Sequence, residues 1–242
     1  MSRVALVTGG TRGIGRGIAK AFAAAGYTVA VCGRKPPEQD DGFLFVAGDV
    51  RDAEQVDLIV RTVVDKLGRL DVVVNNAGGA PPANAATVSP RFHESILKLN
   101  LMAPLHVAQR ANAVMQTQDT GGVIVNIASV SGLRPSPGTA AYGAAKAGLI
   151  SLTRSLAVEW APKVRVVAVT PGLIATEQAD LHYPDMAAVV ATVPAARLGT
   201  PEDVGNACVW LASEAASYAS GTNLVLEGGG ERPAFLTAQE KA

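Results

Sequence analysis

The chain alternates short, almost wholly apolar runs with longer segments whose apolar residues recur at helical spacing. The runs are Val4–Val7, Thr28–Val31, Phe43–Val46, Val72–Val74, Val123–Ile127, Val164–Val169 and Asn223–Leu226. A strand that is apolar in both side-chain directions meets water on neither side, so these runs predict a sheet covered on both faces, the usual setting of parallel strands. Between them, residues at about 13–25, 52–67, 95–117, 140–160 and 201–212 have helix-forming composition and period. The alternation predicts an α/β fold: a doubly wound, parallel, seven-stranded sheet with helices on both faces, with residues 1–242 forming a single domain.

One connection breaks the alternation. Only Arg34–Gly42 join the second run to the third, and Pro36-Pro37 followed by Glu38–Asp41 will not form a helix. The segment is expected to be a solvated loop whose charges are surface charges. Beyond Gly228 no period persists, so residues 228–242 are expected to form an irregular tail that packs as an arm or frays.

Composition narrows the function classes. Hydrophobic residues make up 48% and charged ones 17%, which fills a core and excludes an intrinsically disordered chain. Lys and Arg number 21 against 21 Asp and Glu, so the basic excess of a nucleic-acid-binding surface is missing. No apolar run approaches the roughly 18 residues that span a bilayer, and the start reads as a strand rather than a signal peptide. A cytoplasmic protein with neither nucleic-acid nor membrane partners is expected. Cys32 and Cys208, like His93, His106 and His182, have no metal-ligand spacing, and no metal site is assigned.

Ligands of doubly wound sheets bind at the carboxyl ends of the strands, where the strand order reverses, so the loops after the runs carry the chemistry. The first such loop is Thr8-Gly9-Gly10-Thr11-Arg12-Gly13-Ile14-Gly15, which opens directly into a helix. Its glycines let backbone amides approach a pyrophosphate while the helix N-terminus adds positive partial charge. A tight strand-to-helix turn would use similar residues. The second run ends Val31-Cys32-Gly33-Arg34-Lys35, without the carboxylate that bonds the ribose 2′-hydroxyl of NAD. Arg34 and Arg12 could instead clamp a 2′-phosphate with their forked donors, which points to NADP(H) in preference to NAD(H). Gly48-Asp49-Val50 and Asn75-Asn76-Ala77-Gly78 close the third and fourth runs and suit either adenosine contacts or turns.

Asn126-Ile-Ala-Ser129 closes the fifth run, and Tyr142-Gly-Ala-Ala-Lys146 opens a long helix. Tyr142 and Lys146 are four residues apart, so they share one helical face. An ammonium beside a phenol favours the phenolate and draws its pKa down from a reference near 10, toward values useful in acid–base catalysis.

Taken together, T-G-x-x-x-G-I-G at Thr8–Gly15, N-N-A-G at Asn75–Gly78, Asn100, Ser129, Tyr142 with Lys146, and Pro171-Gly172-Leu-Ile-Ala-Thr176 resemble the short-chain dehydrogenase/reductase family. The resemblance covers almost the whole chain and is nearest in general pattern to the 3-oxoacyl-thioester reductases. It implies a Rossmann fold and an enzyme that interconverts a ketone and a secondary alcohol with NADP(H). It assigns Gly9, Thr11, Arg12, Gly13, Ile14 and Gly15 to the phosphates, with Arg34 on the 2′-phosphate. Asp49, Val50, Asn76, Ala77 and Gly78 fall to the adenosine side, and Pro171, Gly172, Ile174 and Thr176 to the nicotinamide side. Tyr142 would be the acid and base, and Ser129 would hold the substrate oxygen. Lys146 would bind the nicotinamide ribose and lower the pKa of Tyr142, while Asn100 would act through its backbone carbonyl in a proton relay.

The same resemblance makes a 3-oxoacyl thioester, a steroid-derived ketone or another hydrophobic ketone the expected substrate. Residues 176–198, with His182, Tyr183, Pro184 and Met186, correspond to a substrate lid, although a plain surface excursion reads alike. Arg134 is either a solvent-facing charge or a contact for an anionic or CoA-type group. The tail could reach a neighbouring subunit's site. A homo-oligomer is expected, a tetramer before a dimer, with the helices of Asn100 and Tyr142 paired across a two-fold axis. A non-catalytic NADP(H)-binding sensor or scaffold is the alternative. The intact Ser129, Tyr142 and Lys146 set disfavours it.

Overall fold

The computed structural model describes residues 2–177, 185–231 and 233. Its strands are β1 (Val4–Thr8), β2 (Thr28–Gly33), β3 (Leu44–Ala47), β4 (Val72–Asn75), β5 (Gly122–Ile127), β6 (Val164–Pro171) and β7 (Asn223–Leu226). They form one parallel sheet in the order β3-β2-β1-β4-β5-β6-β7. The order reverses between β1 and β4, so the crevice of the doubly wound fold opens above their carboxyl ends.

The apolar runs are continuous because alternate residues feed two cores. Val4 and Leu6 of β1, Val73 of β4 and Ile124 of β5 face one core, covered by α2 (Ala53–Leu67), α4 (Ala103–Met115) and the end of α5 (Ala140–Glu159). Ala5, Val7, Val72, Val74, Val123 and Val125 face the other, beneath α1 (Gly13–Ala24) and α7 (Pro201–Ala212). Cys32 and Cys208 are buried free thiols, one in each core. Burial alone pushes the Cys208 thiol well up, and it raises that of Cys32 to about 12, so both behave as small apolar groups.

The expected helix over 95–117 is three pieces. Ser89 accepts a hydrogen bond from Phe92 N at 3.3 Å and Pro90 stands in the first turn, so α3 (Pro90–Leu97) starts earlier. A π-helical turn, Lys98–Met102, then separates it from α4. Pro104 lies four residues beyond Asn100 and has no N–H to return to the Asn100 carbonyl, which is a physical reason for the ladder to slip there. Among its described residues, the lid region holds one helix, α6 (Met186–Ala191), capped by Asp185 through Ala188 N at 2.9 Å.

The loop Arg34–Gly42 is indeed not helical, but its charges are not all free surface charges. Asp41 forms an ion pair with Arg16 of α1. The pairing escapes the sequence pattern because its partner lies on another element.

Candidate active site

The glycine loop fits a dinucleotide's phosphates. Gly9 and Gly13 have φ of 64° and 53°, a region that disfavours any side chain. A Cβ on Gly15 would lie 2.3 Å from the Gly9 carbonyl oxygen, so the turn closes only without one. Arg12 precedes α1 without capping it through a side chain, and the first turn holds no acidic residue. The first-turn amides of Gly13, Ile14 and Gly15 have no intrahelical acceptor and no Arg12 side-chain cap, and the Glu177 carboxylate comes to 3.8 Å from where a Gly13 Cβ would stand.

Adjacent loops lock this cradle. Thr8 Oγ1 accepts from the backbone N–H groups of Asn76 and Ala77, both at 3.0 Å, and Asn76 Nδ2 donates to the carbonyls of Thr8 and Gly9 at 2.9 and 3.3 Å. The amide of Asn76 thus holds the glycine loop. From the far side, Thr176 Cγ2 comes to 3.8 Å from where a Gly13 Cβ would stand. Ile174 is fixed by a bridge to Gly199, and Gly172 N donates to Leu226 O at 2.8 Å beyond Pro171.

At the end of β2 stands Gly33, where a Cβ would be 3.4 Å from Thr11 Cγ2. Arg12 and Arg34 form no hydrogen bond or ion pair with any described residue. The Asp49 carboxylate is held by Arg51 through Nε at 2.9 Å and Nη2 at 2.5 Å. Those bonds, aided by the field of Arg34, lower its pKa to about 2. Val50 beside it is buried.

Around the proposed chemistry, α5 presents Tyr142 and Lys146 on one face, with Lys146 Nζ 5.6 Å from the centre of the Tyr142 ring. Lys146 is only 3% exposed, and its ammonium donates to the Ile127 carbonyl at 2.7 Å. Burial lowers its pKa to about 8, which leaves it mainly cationic at neutral pH. Ser129 follows β5 and accepts from Ser131 N at 3.2 Å. The short turn after it packs directly on α5, since a Cβ on Gly132 would lie 2.7 Å from Ala147 N.

Asn100 is fully buried; its Oδ1 accepts from Gly79 N at 2.8 Å and its Nδ2 donates to Gly79 O at 3.0 Å and Ile96 O at 2.9 Å. A Cβ on Gly78 would meet both Asn100 Oδ1, at 2.7 Å, and Lys146 Nζ, at 3.3 Å. That glycine is the point where α5, the π turn and the loop after β4 converge.

Comparisons with known proteins place the chain among its relatives. A family model described as enoyl-(acyl carrier protein) reductase matches residues 9–231. The chain belongs to the short-chain dehydrogenase/reductase family. It is 34% identical to the 3alpha-hydroxysteroid dehydrogenase of Mediterraneibacter gnavus, an alignment covering 94% of this chain and 96% of that protein. It is 36% identical to the 3-oxoacyl-acyl-carrier-protein reductase FabG of Staphylococcus aureus, covering 95% and 98%. The structure of ElxO with NADP bound superposes with a TM-score of 0.87 at 31% identity, covering 95% and 98%. The protein is accordingly an oxidoreductase of the short-chain dehydrogenase/reductase family.

Seen as a family member, the chain carries features that its motifs did not reveal. A small pocket beside Tyr142 is lined by Ala80, Pro81, Phe92, His93 and Ile96. Thr8 opens the glycine motif, and its hydroxyl also pins the loop after β4 to it. A polar chain also runs beneath the site. Asn75 Nδ2 donates to Asn126 Oδ1 at 2.9 Å, and Asn126 Nδ2 donates to Thr153 Oγ1 at 2.9 Å, which ties β4 to β5 and α5. His182, Tyr183 and Pro184 of the expected lid lie outside the described residues. Arg134 pairs with Glu231 of the same chain, so the start of the tail crosses to the loop after Ser129. Among the described residues, no group of three or more His, Cys, Asp or Glu side chains could hold a metal ion.

Proposed function

We propose that the protein interconverts a ketone and a secondary alcohol with NADP(H), using Tyr142 as acid and base. The observation that carries this reading is the buried Lys146 ammonium beside the Tyr142 ring, held by a backbone carbonyl rather than neutralised by a carboxylate. A cation at that depth favours the phenolate and moves Tyr142 toward proton exchange near neutral pH. NADP(H), when bound, supplies or accepts the hydride at the substrate carbon.

The chain's own part is orientation and proton handling. Ser129 donates a hydrogen bond to the substrate oxygen, and the Tyr142 hydroxyl delivers a proton to it in reduction and removes one in oxidation. Lys146 holds the nicotinamide ribose hydroxyls. The Asn100 carbonyl, to which Pro104 offers no N–H, anchors a water at the inner end of the proton path. Gly9, Thr11, Gly13, Ile14 and Gly15 receive the phosphates, Asp49, Val50, Asn76, Ala77 and Gly78 the adenosine side, and Pro171, Gly172, Ile174 and Thr176 the nicotinamide side.

Arg12 and Arg34 take the 2′-phosphate, which makes NADP(H) the preferred cofactor. That neither forms a hydrogen bond or ion pair with another described residue supports this, as does the relative solved with NADP bound. For substrate we infer a ketone on an apolar framework, either a 3-oxoacyl thioester or a steroid-derived ketone. The support is that two relatives are named for those two classes. A working homotetramer in the cytoplasm completes the reading, its support being exposed Leu97, Met102, Val158, Trp210, Tyr218 and Val225.

Absorbance assays with a 3-oxoacyl thioester, a steroid ketone and an α,β-unsaturated acyl thioester test this directly. A ketone should be reduced at the expense of NADPH, and Arg34→Asp should weaken NADPH far more than NADH. Turnover confined to the unsaturated thioester, or equal losses for the two cofactors, would contradict it.

A further inference from the structure

The helix-less crossover between β2 and β3 is anchored at two points. Arg16, one turn into α1, donates from Nε to Asp41 Oδ2 at 2.6 Å and from Nη2 to Asp41 Oδ1 at 2.9 Å, and its Nη2 also reaches Gln39. Lys20, one turn further along, stands 3.6 Å from Asp41 Oδ1. The side chains of Arg16 and Asp41 are only 20% and 17% exposed, and the two-pronged geometry fixes orientation as well as distance. The Arg16 guanidinium holds the Asp41 carboxyl below the ordinary carboxylate range, so the pair stays ionised at neutral pH.

The sheet supplies the second anchor. Gly33 pairs with Ala47, and Gly48 N donates to Gly33 O at 3.0 Å. Only Arg34–Asp40 lie between the anchors, and Pro36 and Pro37 have φ fixed by their rings. A parallel crossover usually needs a dozen or more residues and a helix to pack it in place. Here an ion pair does that work, and the first residue it constrains is Arg34.

We propose that Asp41 is a positioning residue for recognition of the cofactor's 2′-phosphate: clasped to Arg16, it holds the short crossover on α1 and so presents Arg34 beside Arg12. The inference rests on the NADP(H) reading above. Releasing the clasp spreads Arg34 over several orientations and weakens only the contacts made to that phosphate. If the competent orientation falls to about one in ten, affinity falls about tenfold. The sign separates this from a simple field effect, because removing a carboxylate near an anion site would by charge alone tighten binding.

Calorimetric titration with 2′,5′-ADP and 5′-AMP reads the effect without turnover, and retained 5′-AMP binding reports an intact fold. Wild-type protein should bind 2′,5′-ADP the more tightly, and Asp41→Asn should lose about tenfold for 2′,5′-ADP and nothing for 5′-AMP. In an Arg34→Ala background, Asp41→Asn should cost nothing further, since it acts through Arg34. Equal losses for both nucleotides, undiminished 2′,5′-ADP affinity, or the same tenfold loss without Arg34 would overturn the inference. Wild-type protein that binds both nucleotides equally would overturn the NADP(H) reading and the inference together.

Discussion

Lys146 shows how one side chain is stabilised by its place in the sequence and penalised by its place in space. Its side chain is buried and its ammonium donates to the Ile127 carbonyl. In the unfolded chain the amine keeps its proton to about pH 10.5, whereas in the fold it releases it near 8. Between those values the unfolded state binds more protons, so apoprotein stability should rise with pH through that window. Below pH 8 the penalty is fully present, at about 3 kcal/mol, and above 10.5 it is gone. Lys146→Met removes the titration while keeping much of the volume. Urea unfolding of both proteins at pH 7.5 and pH 10 should show wild type gaining on the variant by up to that amount. A difference that does not change with pH would show that Lys146 is solvated in the apoprotein. Tyr142 and Lys146 were legible in the sequence because four-residue spacing on a helix survives any packing. The acceptor of Lys146 was not legible, because it lies nineteen residues away on β5.

Elements meet here through glycines as much as through apolar side chains. A Cβ on Gly17 of α1 would lie 2.3 Å from Pro201 Cβ and 2.8 Å from Pro201 C, and one on Gly205 of α7 would lie 2.7 Å from Ala21 Cβ. The two helices thus touch backbone to backbone over β1, which sets the height of the glycine loop. Two effects compete in Gly17→Ala: alanine is favoured in a helix by about 1 kcal/mol, while overpacking a close contact costs about 1–3 kcal/mol. Backbone is the nearest obstacle that cannot rotate away, so the variant should be less stable, read as a lower urea midpoint. A higher midpoint would mean that the helices separate freely. The seven strands were visible as apolar runs because both faces of the sheet are buried. The π turn was not, because apolar period continues through 95–117 and only Pro104 marks the slip at Asn100. Asp41 was hidden for the opposite reason, since a charge in a Pro-containing loop looks like any solvated charge until α1 lies beside it.

For the molecule as a whole, the sheet order places the glycine loop, the loop after β4 and the Ser129 turn along one rim. Almost every residue that the motifs marked lies on that rim or on the first turns of α1 and α5. The outer faces carry exposed Val158 of α5, Trp210 of α7 and Tyr218 between α7 and β7 in sequence, apolar groups that a monomer would leave in water. Light scattering should therefore give a mass near four times 24.8 kDa, whereas a monomer would leave both faces without the role proposed for them.

The central claim is that Tyr142, beside the Lys146 ammonium, moves the proton. Its most direct test is a paired measurement on Tyr142→Phe: single-turnover reduction of a ketone and equilibrium binding of NADPH by fluorescence. Turnover should fall by at least about a hundredfold, the ordinary scale of general acid–base catalysis, with NADPH affinity close to wild type. A variant that keeps most of its turnover, or loses NADPH binding in equal measure, would contradict the account.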